Sequence, residues 1–472
     1  MSSAAAAPAF TAEAGLRFSS AVIQGSAGAY ADPMRVYFIR NSSQVLSAVT
    51  TDGINFTQDS GVRLSSLTAP ALDIAISSIT GLSVLPLDGG GFRMLYSVIG
   101  TTGAFRIYSA TSADGFSWAN DTGTRISVDS GLTFAQYPSL VELTSGDWRL
   151  YYVQNATGTL PSGRRIYTAL SGNQGRDFGA SAVAVDSEAS YVSGARLTDG
   201  RVRLYYTAPL SGQTTHTAVL SALSSNSNGN SFSAESGVRF STSNSGSLTY
   251  PFVMRSTESF RWRLYYHFIS PSTTTADARS ALTLSPEPQS LSPSTVFRIN
   301  PAGSFTILGE VFSPAPAAVL TQTGQTDIAG ASLSRVDDQT ITVSFDTQNK
   351  ALNFWNLVVT NADGVSGTLS NALFIDFPGG SVDVTDNLFR PNRGQRAKID
   401  VTVFKTDRAS VTLYTNTGER VATLLDQTLP EGTTTVYWDG RNSQGQKVAS
   451  GVYLLRAVGP KINVTQKIVV IK

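Results

Sequence analysis

FTAEAGLRFS (Phe10–Ser19) stands near the N-terminus with no strand-rich segment ahead of it. Three near-copies follow: FTQDSGVRLS from Phe56, WANDTGTRIS from Trp118 and FSAESGVRFS from Phe232. Each of those ends a module of short apolar runs, so the first copy is a last strand without a module of its own.

A second signal sets the size of the module. The strand core reads RVYF at Arg35, RMLY at Arg93 and RLYY at Arg149, Arg203 and Arg263. Five copies at a steady period mean five equivalent supersecondary units. Each core is preceded by an apolar run, such as PSLVEL at Pro138 or PFVM at Pro251. Each is followed by a Ser-Ala or Thr-Ala strand: VLSAV at Val45, IYSAT at Ile107, IYTAL at Ile166, VLSAL at Val219 and ARSAL at Ala278. With the G-x-R strand, every unit holds four antiparallel strands, the composition of a propeller blade. Alternating patterning prevails and no long stretch shows a helical period.

The fifth unit ends after its third strand, at ALTLSP (Ala281–Pro286), without a G-x-R strand. Phe10–Ser19 supplies it. A ring closes best when one blade takes strands from both ends of the chain, because that leaves fewer free ladder groups. The expectation is a five-bladed β-propeller over residues 1–285 whose N-terminal strand completes the last blade.

Composition narrows the function classes. The 472 residues carry 35 basic and 34 acidic side chains, so nothing favours nucleic acid or an anionic membrane. Cysteine is absent, which excludes disulfides and Cys-based metal or redox centres. No run is long enough to span a bilayer. MSSAAAAPA (Met1–Ala9) lacks the basic and apolar regions of a signal peptide, so no intact signal peptide is expected in this chain. All the lysines lie at or beyond Lys350, and the Pro-rich SPEPQSLSP (Ser285–Pro293) marks a junction between modules.

The turns TTDGINF (Thr51), TSADGFSW (Thr111) and SNSNGNSF (Ser225) use Asp-Gly or Asn-Gly for a tight hairpin, followed by an aromatic that plugs the gap between blades. They resemble the S-x-D-G-x-x-W/F turns of five-bladed glycosidases of the arabinanase and fructosidase type. The third unit degenerates to SGNQGRDFGAS (Ser171), and its last strand, AVAVDS, lacks the arginine. The resemblance implies carboxylates at the mouths of the inner strands, because glycoside cleavage needs a general acid and a base or nucleophile. Aligning the inner strands puts Phe18, Thr80, Tyr137, Tyr191 and Tyr250 at equivalent start positions, none acidic. Asp32-Pro33 falls in the turn before RVYF. Loop acids Asp73, Glu188 and Asp277 are the remaining route to a catalytic set. The recurring pairs Glu13/Arg17, Asp59/Arg63, Asp121/Arg125 and Glu235/Arg239 read as structural, since a catalytic set is unique rather than four-fold.

No catalytic residue, metal ligand or cofactor is assigned. His216 and His267 have no acidic cluster beside them, and no nucleophile elbow, phosphate loop or H-E-x-x-H occurs. The ligand-binding candidates are Tyr137, Tyr191, Tyr250 and His267, because aromatic rings beside polar backbone suit stacking on a sugar face. Packing between blades is the competing role for these tyrosines.

Two further modules follow. Residues 286–379 show short strands at sandwich spacing. SFTILGEVF (Ser304) and FWNLVVTNADGVSGTLSNALFI (Phe354) resemble immunoglobulin-like IPT/TIG modules. Within 380–472, VTLYTNTGERVATLLDQTLPEGTTTVYWDGRNSQGQKVASGVYLLRA (Val411–Ala457) resembles the immunoglobulin-like domain of flagellar hook-capping proteins, and is similar to the C-terminal sorting domains of type IX secretion. Trp438 anchors a strand end, Asp439-Gly440 and Gln444-Gly445 turn the chain, and Gly451 is expected to permit a bend. The apolar IVVIK at the C-terminus is expected to be an edge able to pair with another chain. Asp383 with Asp386, and Asp363, are read as turn residues rather than calcium ligands.

The fold expectation is thus all-β: a propeller and two immunoglobulin-like β-sandwiches. The functional expectation is an exported bacterial cell-surface protein whose non-catalytic propeller binds a glycan or a surface partner, with self-association through the C-terminal sandwiches. A glycoside hydrolase using loop acids and a structural component of an envelope layer or appendage stand as alternatives.

Overall fold

The computed structural model describes residues 9–19, 21–27, 34–65, 73–128, 135–155, 163–209, 217–242, 247–255, 261–269, 276–283, 285–299, 303–362 and 364–472. Asp32, Pro33, His216 and Asp363 lie outside these residues. Among the described residues the chain is all-β apart from one short 3-10 turn, Pro391–Arg393. No described helix is long and apolar enough to cross a membrane.

The chain divides into two compact units. One comprises 1–293, 304–345 and 356–372; the other comprises 294–303, 346–355 and 373–472.

The first unit contains five sheets of the propeller type among the described residues. The first blade orders Ala21–Ala27, Met34–Arg40, Gln44–Thr50 and Thr57–Gln58; the second, Ile76–Pro86, Phe92–Gly100, Phe105–Ser112 and Ala119–Asn120. The third orders Ala135–Glu142, Trp148–Asn155, Arg164–Ser171 and Ala182–Val185; the fourth, Tyr191–Arg196, Val202–Pro209, Thr217–Ser224 and Phe232–Ala234. In the fifth, Ser247–Arg255, Trp262–Ile269 and Ala276–Thr283 are completed by Phe10–Ala12 and Phe18–Ser19 from the N-terminus. Phe10 pairs with Thr283, Ala12 with Ala281 and Phe18 with Ala278, all antiparallel. Each blade's innermost strand neighbours that of the next, and the fifth neighbours the first, so the ring closes.

Blades are joined by the second-strand tyrosines. Tyr37 donates to Gly115 O at 2.8 Å, Tyr151 to Gly229 O at 2.6 Å and Tyr265 to Gly53 O at 2.8 Å, each in the turn of the following blade. These turn glycines have φ of 76°, 60° and 67°. A Cβ on Gly229 would meet Tyr151 Oη at 2.4 Å, so the close approach, as well as the backbone, demands glycine. The aromatic after each turn packs on the same tyrosine: Trp118 on Tyr37 at 5.6 Å, Phe232 on Tyr151 at 5.7 Å and Phe56 on Tyr265 at 6.0 Å.

Also in this unit, Glu287–Ser292, Gly303–Glu310, Thr340–Phe345 and Ala331–Arg335 form one sheet of the following sandwich, with Phe305, Ile307, Ile341 and Phe345 buried. The Pro-rich junction is therefore strand: Glu287–Ser292 pairs with the strand that ends at Glu310.

In the second unit, Ser381–Thr385, Ala397–Val403 and Gly432–Trp438 form one sheet. Leu388–Phe389, Ile462–Val470, Gly451–Gly459, Asp407–Thr415 and Arg420–Leu429 form the other. Trp438 is buried between Phe389 and Tyr453, its Nε1 donating to Arg441 O at 2.8 Å. Gly440 and Gly445 have φ of 77° and 76°, as their turns require. Gly451 departs from expectation. It opens a strand outside the left-handed region, and a Cβ there would meet nothing within 4 Å. At the C-terminal end, Val469 and Val470 of the apolar segment pair in parallel with Leu388–Phe389.

Candidate functional site

The inner strands of the second to fifth blades line an axial cavity of about 320 Å³. Serines fasten these strands to one another: Leu140 N–H donates to Ser83 Oγ, Gly194 N–H to Ser139 Oγ and Val253 N–H to Ser193 Oγ, at 2.9, 2.9 and 3.0 Å. The cavity is thereby walled by backbone that is held blade to blade.

At the beginning of three inner strands stand Tyr137, Tyr191 and Tyr250. Their ring centroids are 4.3 Å apart for Tyr137–Tyr191 and for Tyr191–Tyr250, and 5.4 Å for Tyr137–Tyr250. Burial pushes all three phenols above their ordinary pKa, so they stay neutral donors. Tyr137 and Tyr250 have φ of 60° and 50°, each before a proline and at a β-bulge. A bulky residue in left-handed backbone is strained, and such strain is retained only where the surroundings impose it. Ser97 Oγ accepts the Tyr137 N–H at 3.2 Å.

His267 is buried behind this platform, its ring 5.9 Å from Tyr250 and its Nδ1 3.4 Å from Thr249 Oγ1. It does not line the cavity. Thr80 occupies the corresponding bulge of the second blade, where its Oγ1 contacts Ser97 Oγ at 2.9 Å. Phe18 does not belong to this set. It pairs with Ala278 in the closing strand and stacks on Phe38 at 4.6 Å, and the first blade's bulge falls at Gln24.

The loop acids do not meet at the cavity. Asp73 is bound to Arg106 Nε at 3.1 Å and by a short hydrogen bond from Tyr108, both on the third strand of the second blade. Burial raises its pKa, and the bonds from Tyr108 and Arg106 outweigh that and lower it. Asp277 lies 3.8 Å from Arg279, and Glu188 sits in the link between the third and fourth blades. None of the three lines the cavity. Among the described residues, the carboxylate that does is Glu142, at the end of its strand, with Arg196 and Arg255 at the same end of theirs. Among the described residues no group of three or more His, Asp or Glu is placed to hold a metal ion.

The four-fold acid–arginine pattern bonds strand to strand within the blades. Each acid binds the arginine of the R-x-aromatic strand and the serine between them. Asp59 meets Arg35 at 3.0 Å and Ser47 at 2.6 Å; Asp121 meets Arg93 at 3.3 Å and Ser109. Glu235 meets Arg203 at 2.8 Å and Ser221 at 2.7 Å; Glu13 meets Arg263 at 2.9 Å and Ser280. The G-x-R arginines mainly bind turn carbonyls: Arg63 those of Gly61 and Phe116, Arg239 that of Gly237. Glu13 and Arg17 also form an ion pair, and it is long, at 3.9 Å.

Two buried, paired acids went unread in the sequence. Glu287 binds the fully buried Arg203 at 2.8 Å. Burial lowers the Arg203 pKa, but the charges of Glu287 and Glu235 more than reverse that. Glu310, fully buried, accepts from Thr198 N at 2.7 Å and pairs with Arg255, which also binds Asp338. The available signal was Glu310 itself, one acid inside the apolar run FTILGEVF, since a buried acid needs a partner.

Among solved structures, the GH43_1 enzyme from Xanthomonas citri is similar, at 14% identity and a TM-score of 0.44, over 58% of this chain and 90% of that one. A GH43 β-xylosidase/α-arabinofuranosidase from a compost microbial metagenome gives 11% identity and a TM-score of 0.42, over 58% and 94%. Fructan 1-exohydrolase IIa from Cichorium intybus gives 11% and 0.42, over 79% and 92%. Likenesses of this depth carry no argument about chemistry. Among curated proteins none matches. Residues 391–461 match the family model of the FlgD Ig-like domain.

Proposed function

We propose that this is an exported bacterial surface protein whose propeller binds a glycan without cleaving it. Its modules are taken as a propeller over 1–285 and sandwiches over 286–379 and 380–472. The observation that carries the reading is the tyrosine platform at the axial cavity. Three rings with neutral hydroxyls, two of them on strained backbone, offer stacking faces and hydrogen bonds of the kind a sugar uses. His267 supports Tyr250 from behind. Hydrolysis would need two carboxyl groups about 5 to 10 Å apart, and Glu142 is the carboxylate among the described cavity residues. The FlgD Ig-like match and the Cys-free composition support display outside the cytoplasm.

A panel of plant, algal and bacterial polysaccharides tests the reading with the full chain. Binding is expected for at least one of them, weakened about tenfold by Tyr191→Ala, in line with the loss of one aromatic contact. No reducing ends should be released. Hydrolysis abolished by Glu142→Gln would overturn the reading in favour of an enzyme, and absence of binding across the panel would remove its basis.

A further inference from the structure

The third blade breaks the arginine–carboxylate–serine pattern in a specific way. Its arginine remains, as Arg149, and is buried. Two pairings show which residue replaces the acid. Asp121 N–H bonds to Ser109 O in the second blade, and Ala182 pairs with Thr168, the counterpart of Ser109, in the third. Tyr96 Oη donates to Asn120, just before Asp121, and Tyr152 Oη donates to Ser181, just before Ala182. A methyl group therefore stands where four other blades place a carboxylate.

Arg149 retains one hydrogen bond, from Nη1 to Thr168 Oγ1 at 3.3 Å, and its buried Nε has no partner among the described residues. Arg203 and Arg263, by contrast, are held by carboxylates from two sides or through two arms. Ala182 is exposed, so the position opens to solvent.

We propose that Arg149 and Thr168, beside Ala182, form a binding site for a carboxylate group, brought by a small free acid or by a uronic-acid sugar. The bound group takes the place that Asp59 and Asp121 fill in the first two blades, accepting from the guanidinium and from the Thr168 hydroxyl. This site lies on the outer strands, separate from the axial tyrosines, and stands or falls independently of glycan binding there. Burial lowers the Arg149 pKa and the more distant charge of Asp147 does not offset it, whereas the acids bonded to Arg203 and Arg263 raise theirs, which agrees with an unmet demand for negative charge.

The test is the melting temperature of the full chain and of Ala182→Asp in chloride, acetate, glucuronate and neutral glucose, at matched ionic strength. In the wild type, acetate and glucuronate should raise it saturably, by about 2 to 4 °C, while chloride and glucose should not. A larger effect of glucuronate than of acetate assigns the site to a sugar acid; equal effects assign it to small acids. Ala182→Asp should melt higher in chloride and lose the response to both acids. The inference is overturned if neither acid stabilises the wild type, if Ala182→Asp responds as the wild type does, or if that substitution lowers the melting temperature.

Discussion

Glu13 and Arg263 join across 250 residues of chain through two hydrogen bonds, Nε to Oε2 at 2.9 Å and Nη2 to Oε1 at 3.0 Å. Ser280 donates to the same carboxylate, so one acid fastens the N-terminal strand to both strands it must meet. Glu13→Gln leaves Arg263 buried without its counter-charge and should cost about 3 kcal/mol. Urea unfolding of the full chain measures this, and a change within about 0.5 kcal/mol would show that backbone pairing alone closes the ring.

Acid should open the same seam. Burial raises the Glu13 pKa, but hydrogen bonds from Arg263 and Ser280 outweigh it, and the folded value lies below the ordinary 4.5. Asp59 is likewise lowered, by Arg35 and Ser47 acting against burial. A depressed folded pKa gives stability that is complete above the unfolded value and lost as pH falls through the folded one. Melting temperatures should therefore hold steady from pH 7 to about 5 and drop below about 4, with the drop smaller in Glu13→Gln.

The hairpin after Met34–Arg40 turns on Asn41 and Ser42, both at φ 53°. Glycine tolerates that backbone at the second position and serine does not. Ser42→Gly should stabilise the protein by about 0.5 kcal/mol after the entropy of glycine is counted, read as a shift in the urea midpoint.

Two glycines of the C-terminal module should behave oppositely. Gly440 has φ 77°, and a Cβ would meet Pro391 Cγ at 2.6 Å, so Gly440→Ala should cost about 2 kcal/mol or more. Gly451 has open space at its Cβ, and Gly451→Ala should be neutral or stabilise by about 0.5 kcal/mol. Thermal melts of the two variants check the pair.

Glu310 is fully buried against Thr198 and Arg255, linking the fourth and fifth blades to the next strand layer. Glu310→Ala should cost about 3 to 5 kcal/mol and add a separate transition in calorimetry, because the two parts no longer unfold together.

The ring was legible because its signals are local and repeated. The R-x-aromatic core and the unpartnered Phe10–Ser19 each stand in one short window. The structural role of the recurring acids was legible from their repetition, but not their partners, because the chain turns at Gly15 and its counterparts and sends each acid inward across two strands. Phe18 was misplaced for a related reason. A bulge at Gln24 resets the inner strand, and no composition marks a bulge. Tyr137, Tyr191 and Tyr250 were identified from alignment, but their mutual stacking depends on the curvature of three separate blades. Glu310 could have been flagged as an acid inside an apolar run, but its partner and that of Glu287 could not, since Arg255 and Arg203 lie far away in the propeller repeat.

The terminal strand also imposes an order on events. A chain emerging N-terminus first, from a ribosome or through a translocation pore, presents Phe10–Ser19 long before Ala276–Thr283 exists to receive it. The latch waits while the rest is delivered, its ladder groups open to any passing strand. Whatever keeps the nascent polypeptide from premature pairing must therefore act on Phe10–Ser19 for longer than on the blades that follow it.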